Sequence, residues 1–161
     1  MAVVIEGDVN LSNCKNLVRL KDITEIKGNL NLYGCSKFKD LSELEKVGHL
    51  DLRYTSIKNL GALEYVGCSL YLQNTQIEDL GKLESVGRNL DLRNTPLDNL
   101  GKLEKVNGSI ILSKDSKITE EYVNKYKPEL LSKCMWNGYN EIIFFNKKIQ
   151  NISYRNGYNF I

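Results

Sequence analysis

From residue 30 to residue 112 the chain repeats a pattern every twenty residues. Leu30-Asn31-Leu32, Leu50-Asp51-Leu52, Leu70-Tyr71-Leu72, Leu90-Asp91-Leu92 and Ile110-Ile111-Leu112 stand one step apart, and Val9-Asn10-Leu11 precedes them by one residue more. The clearest copies read Leu-x-Leu-x-x-Thr-x-Ile-x-x-Leu-Gly-x-Leu-Glu-x-Val-Gly. A unit this short cannot bury its apolar side alone. It must stack on its neighbours, which predicts a solenoid with one continuous core. Such a chain offers a surface more readily than a closed pocket.

Within one coil, each Leu-x-Leu puts two side chains on one face of a short strand, because strand side chains alternate. The leucines point inward and the residues between and after them point out. Thr55, Thr75 and Thr95 then form a column, with Cys14 and Cys35 at the equivalent place. A small polar group there can bond backbone where the strand turns. After it the apolar positions come every third residue: Ile57, Leu60, Leu63, Val66 and their counterparts one and two steps on. Period three suits extended or 3₁₀-like arcs and leaves no room for an α-helix on the return arm. Gly61, Gly81 and Gly101 mark one corner; Gly48, Gly67 and Gly87 mark another, where backbone bends or passes close.

The segment Val47-Gly48-His49-Leu50-Asp51-Leu52-Arg53-Tyr54-Thr55-Ser56-Ile57 resembles the leucine-rich repeat. Val86-Gly87-Arg88-Asn89-Leu90-Asp91-Leu92 is similar to the short coils of receptor L domains and to the Thr-x-Ile, Leu-Gly-x-Leu repeats of many bacterial and phage proteins. The resemblance covers roughly residues 3–112. It implies an α/β solenoid, a right-handed parallel β-coil of about six turns, and the sheet surface as the binding face. It carries over no catalytic residues, since such repeats serve many unrelated partners.

After Leu112 the pattern stops. Residues 118–133 read as helical, with Thr119 as N-cap, Glu120 and Glu121 in the first turn, and Pro128 breaking the helix or opening a second short one. Residues 141–145 and 148–154 read as strands, and Asn137-Gly138 and Asn156-Gly157 as turns. A solenoid end exposes apolar coil and strand edges, so residues 113–161 are expected to form an α+β cap on the solenoid of residues 1–112, in the same structural unit. No such cover is expected over the first coil. Val3, Val4 and Val9 are expected to be shielded by the tail or by another chain, self-association through this edge included.

The net charge of +2 is nearly neutral and implies no polyanion partner. Residues 1–112 hold 14 Lys and Arg against 15 Asp and Glu; residues 113–161 hold 8 against 5. Trp136, Tyr139, Tyr154, Tyr158, Lys147, Lys148 and Arg155 lend the tail an aromatic and basic character, but nucleic acid is disfavoured as a partner. Residues 1–7 show neither a charged leader start nor an apolar run, so no membrane partner and a cytoplasmic location are expected. The four cysteines fit no metal spacing. Cys14 and Cys35 in adjacent coils are within disulfide reach by spacing, yet their parallel directions favour two small buried thiols.

Two outward columns form the broadest regular surface: Asn10, Asn31, Asp51, Tyr71, Asp91, Ile111, and Ser12, Tyr33, Arg53, Gln73, Arg93, Ser113. Like charges never fall in adjacent coils, which suits strands about 4.8 Å apart. The candidate binding residues are Tyr33, Asp51, Arg53, Tyr71, Gln73, Asp91 and Arg93, with tyrosine and arginine as the contact types that carry most binding energy. The column Glu45, Glu64, Glu84, Glu104 is weighed as a cation site and set aside, because calcium repeats need converging oxygens from Asp and Gly-rich loops. His49 reads as a neutral turn residue rather than a base. No metal, cofactor or catalytic set is assigned.

These readings favour a non-enzymatic protein-interaction module. The Asn-, Lys-, Ile- and Tyr-rich composition suits a phage or bacterial effector that occupies a host protein, in the host cytoplasm if phage-encoded. The alternative is a carbohydrate-binding or carbohydrate-active cell-surface β-solenoid.

Overall fold

The computed structural model describes residues 3–138 and 141–144, with side chains through Trp136. The strands in chain order are β1 (Val3–Ile5), β2 (Val9–Asn10), β3 (Ile23–Asn31), β4 (Lys46–Asp51), β5 (Tyr65–Val66) and β6 (Leu70–Tyr71). They continue with β7 (Ser85–Val86), β8 (Leu90–Asp91), β9 (Lys105–Val106), β10 (Ile110–Ser113), β11 (Cys134–Gly138) and β12 (Glu141–Phe144). The chain is a parallel β-solenoid of about seven turns with a short helical part near its C-terminal side.

The Leu-x-Leu segments stack in coil order. Asn10 pairs with Asn31, Asn31 with Asp51, Asp51 with Tyr71, Tyr71 with Asp91 and Asp91 with Ile111, all parallel. The leucine amides donate to carbonyls of the next coil: Leu52 to Tyr71 (2.9 Å), Leu72 to Asp91 (2.9 Å), Leu92 to Ile111 (2.8 Å). These rung-to-rung bonds satisfy backbone groups that so short a strand could not satisfy alone. The period-three arcs are extended, and no helix interrupts residues 55–66. Their ends form a second parallel ribbon, in which Ile26, Val47, Val66, Val86 and Val106 stand in register. Here the Gly67 amide donates back to Val47 (2.9 Å) and the Gly87 amide back to Val66 (2.8 Å).

Between the two ribbons lies one core. Leu30, Leu32, Leu50, Leu52, Leu70, Leu72, Leu90 and Leu92 are buried together with Ile57, Ile77 and Phe38. The threonine column does what its chemistry suggests. Thr55, Thr75 and Thr95 donate through Oγ1 to the carbonyls of Leu52, Leu72 and Leu92 at 2.7, 2.7 and 2.8 Å. Gly61, Gly81 and Gly101 take positive φ at one corner. At the other, a Cβ on Gly48 would sit 2.6 Å from the carbonyl oxygen of Gly28, and one on Gly87 would overlap that of Gly67.

The helical part expected after Leu112 is present. α1 (Glu120–Tyr126) starts at Thr119, whose Oγ1 accepts from the Tyr122 amide at 3.1 Å. Pro128 opens a 3₁₀ turn, Pro128–Lys133. Ile118, Val123 and Leu130 enter the core, and the Leu100 amide donates to the Tyr122 hydroxyl at 3.0 Å. Beyond this turn the chain adds a seventh rung: β11 lies parallel to β10, with Leu112 opposite Trp136. Trp136 is buried and donates from Nε1 to the Ile118 carbonyl at 2.8 Å. The pairing of β11 with antiparallel β12 runs through Asn137 and Gly138, so the turn expected at those two residues is strand. The expected strand at 148–154, the Asn156-Gly157 turn and Tyr139, Lys147, Lys148, Tyr154, Arg155 and Tyr158 lie outside the described residues.

The four cysteines are free thiols. Cys35 is buried and donates to the Leu11 carbonyl at 3.0 Å, whereas Cys14 is exposed, not buried as its column predicts. It belongs to the first described coil, and no other described coil lies beneath it. Val3 and Val4 are exposed for the same reason.

Leu72→Ala and Leu92→Ala should each destabilise the protein by about 2–5 kcal/mol, since each removes a buried branched side chain from a stack that cannot close around the gap. Urea denaturation followed by circular dichroism checks this; wild-type midpoints would mean that these side chains do not carry the stack.

Candidate functional site

In four coils the strand face ends in a turn built by the side chain at the centre of the strand motif; Tyr71 and Ile111 offer no such acceptor. Asn10, Asn31, Asp51 and Asp91 accept through Oδ1 from the amide two residues on, at 3.1, 3.0, 3.1 and 3.1 Å. A short side chain with an acceptor oxygen does this best. In coils three and five that acceptor is a carboxylate, and the residue two ahead on the same face is arginine.

Each pair closes on itself. Arg53 donates from Nε to Asp51 Oδ1 at 2.9 Å and from Nη2 to Oδ2 at 2.6 Å, and Arg93 grips Asp91 with the same two distances. The carboxylates are covered: Asp51 is 6 % exposed and Asp91 2 %. This corrects the expectation that both columns are outward surface. Asp51 and Asp91 lie beneath the surface and the guanidinium groups form it. The hydrogen bond to its aspartate is the first reason that each arginine's affinity for its proton is raised. Fork-to-carboxylate pairing also fixes the rotamer of a side chain that would otherwise be mobile.

Aromatic rings flank Arg53. Its guanidinium carbon lies 5.0 Å from the Tyr33 ring centre and 5.3 Å from that of Tyr71, within cation–π range on both sides. Tyr54 meets Tyr33 edge to face at 5.4 Å, and His49 meets Tyr71 likewise at 5.0 Å. Burial is the main reason that the His49 pKa is lowered.

Five of the seven candidate residues thus form one cluster or its floor: Tyr33, Asp51, Arg53, Tyr71 and, one coil on, Gln73. Asp91 and Arg93 continue it, because Gln73 Nε2 donates to Asp91 Oδ2. Gln73 Oε1 is buried with no hydrogen-bond partner among the described residues. Tyr33, Arg53, Tyr54, Gln73, Asn74, Arg93 and Asn94 line a shallow depression of about 280 Å³. That is at the small end for a ligand pocket and suits one edge of a larger partner.

Tyr54, Asn74 and Asn94 were not among the candidates. They occupy the corner column Asn13, Gly34, Tyr54, Asn74, Asn94, where φ is 61, 70, 60, 57 and 55°. The signal was visible, since Asn and Gly are the residues that accept a left-handed backbone. Tyr54 breaks that rule and is 50 % exposed. A bulky residue held there carries strain of a kind that collects at functional sites. The glutamate column offers no comparable geometry. Glu45, Glu84 and Glu104 are exposed, and no group of three His, Cys, Asp or Glu converges as ligands among the described residues.

No family model, no curated protein and no solved structure matches the chain. The surface therefore rests on its own geometry. Among the described residues no helix is long and apolar enough to cross a membrane.

This geometry predicts three outcomes. Arg93→Glu should destabilise by about 1–3 kcal/mol, because it leaves the covered Asp91 facing a like charge; unchanged urea midpoints would show that the pair is loose. Charge reversal at Arg53 or Arg93 is thus not a neutral probe of binding. Tyr54→Asn should stabilise by about 1 kcal/mol by relieving the left-handed tyrosine, read in the same assay. Finally, a lowered histidine pKa means the folded state binds the proton less readily than the unfolded chain. Its contribution is complete above the unfolded value of about 6.5 and is lost as pH falls from there through the folded value. The melting temperature of wild type should fall more than that of His49→Gln on moving from neutral pH to about pH 5, and parallel profiles would contradict this.

Proposed function

We propose that this protein is a non-enzymatic protein-interaction module that holds its partner on the strand face and the adjoining corner around Arg53. The observation that carries the reading is the continuous cluster His49–Tyr71–Arg53–Tyr33–Tyr54, in which an arginine fixed by a covered carboxylate is stacked between tyrosines. Tyrosine and arginine are the side chains that dominate interface energies. Contacts already ordered in the free protein lose little entropy on binding. The strained Tyr54 supports the same reading, because an asparagine would satisfy the fold better.

In the narrower form of the proposal the protein is a leucine-rich-repeat-like phage or bacterial effector that occupies a host protein in the cytoplasm. The exposed Val3 and Val4 edge would allow self-association, and light scattering at tens of micromolar protein tests that part. A carbohydrate-binding role is the second reading, favoured by one observation: the depression is lined by the amides of Gln73, Asn74 and Asn94.

The test is affinity capture from bacterial lysate with wild type, with Tyr33→Ala/Tyr54→Asn, and with Glu84→Lys on the second ribbon as a control. The proposal expects a protein retained by wild type and by the control, and lost with the double variant at an unreduced melting temperature. Equal capture by all three would move the functional surface elsewhere. No captured protein, together with Tyr54-dependent binding on a glycan array, would replace this reading with the carbohydrate one.

A further inference from the structure

We infer that the corner groove beside Arg53 takes a neutral, proline-rich segment of a partner protein in the polyproline II conformation, lying along the solenoid axis with a proline ring packed into the angled notch that the touching Tyr33 and Tyr54 rings form at the surface. The inference rests on the protein-interaction reading above and names the chemistry of the partner at that same surface.

Charge comes first. The two arginines of the groove sit on two covered aspartates, so the four ionised groups of the patch cancel. An acidic peptide would bring a second carboxylate to each guanidinium, whose charge its own aspartate already compensates. A basic peptide would meet arginine at the surface. A neutral ligand avoids both penalties.

Geometry comes next. Every strand on this face is bonded on both sides from β3 to β10, so no edge is open there for a peptide to join as another strand. The groove instead crosses the strands, from Tyr33 in the second coil to Arg93 and Asn94 in the fifth. Its rungs repeat at about 4.8 Å, so two rungs span about 10 Å. A polyproline II helix has three residues per turn and rises about 3.1 Å per residue, or about 9 Å per turn. Residues three apart in such a segment can therefore meet equivalent positions in alternate coils.

The groove's chemistry fits that occupant. Polyproline II has no internal hydrogen bonds, so its carbonyls need donors from outside. The Tyr33 and Tyr54 hydroxyls and Nη1 of Arg53 and Arg93 make no hydrogen bond to any described residue, and all four belong to residues that line the groove. The edge-to-face Tyr33–Tyr54 pair makes a notch with two aromatic walls, and aromatic-lined grooves are how such pre-extended segments are held. Tyr54 supplies one wall from the left-handed corner where the other coils carry Asn or Gly. It acts as the specificity-determining residue of the groove.

The test is a titration of the ¹⁵N-labelled full chain with decaproline, beside a flexible Gly/Ser peptide of equal length and a neutral oligosaccharide, maltohexaose. Decaproline should give saturable shifts at Tyr33, Arg53, Tyr54 and Arg93. Its affinity should change by less than about twofold between about 0.05 and 0.5 M salt, because no net charge is screened. Tyr54→Asn should weaken it by at least about tenfold while melting no lower than wild type; Tyr54→Phe should keep the notch and most of the affinity. No shift with decaproline, equal shifts with the Gly/Ser peptide, or shifts at these residues with maltohexaose alone would each overturn the inference. If decaproline fails while lysate capture still depends on Tyr33 and Tyr54, the ligand class is wrong and the protein-interaction reading stands; if both fail, the surface itself is wrong.

Discussion

Rung-to-rung backbone hydrogen bonding is the constraint on which the rest of the molecule depends. Strands of two residues such as Leu70–Tyr71 and Leu90–Asp91 have no stability of their own. They exist because their amides and carbonyls find partners one coil away, as the Leu72 amide does in Asp91 and the Gly87 amide in Val66. The glycine corner sets how close the coils come. Any side chain at Gly87 would overlap the Gly67 carbonyl, so position 87 admits hydrogen alone. Once the spacing is set, leucines stack on leucines and the threonines satisfy the carbonyls at the turn. Every outward position becomes a column.

Columns turn a local pattern into a surface. An aspartate two residues before an arginine is ordinary in an isolated strand. Here the pair Asp51–Arg53 sits between the tyrosines of the coils before and after, and is repeated two coils on as Asp91–Arg93. The carboxylates lose water and gain a fork of hydrogen bonds; the arginines lose freedom and become part of a rigid patch with no net charge. Breaking one partner of such a pair costs more than the pair contributes, since the remaining charge has nowhere to go.

Much of this was legible in the residues. Alternation in Leu50-Asp51-Leu52 and its copies specifies which side chains are inside, and the helix start at Thr119 follows from its acceptor oxygen and the two glutamates after it. Other features had weaker signals. The second ribbon was hidden because a period of three marks an extended arc without saying that Val66 and Val86 will pair. The seventh rung was hidden because Ile110 pairs with Cys134 across a helix rather than with a residue twenty further on. Burial of Asp51 and Asp91 depends on the arginines folding back over them, which alternation alone does not encode. The left-handed corner was readable at Asn13, Gly34, Asn74 and Asn94, and Tyr54 is the exception in that column.

The central claim is that Arg53 and Arg93 are fixed, charge-compensated parts of the surface before any partner arrives. Nuclear magnetic resonance of the arginine Nε–H groups tests it directly. The account predicts slow solvent exchange and high order parameters for Arg53 and Arg93, against fast exchange for the exposed Arg19 and Arg88. Uniformly fast exchange across all four would contradict it, leaving two mobile surface arginines and no preorganised patch.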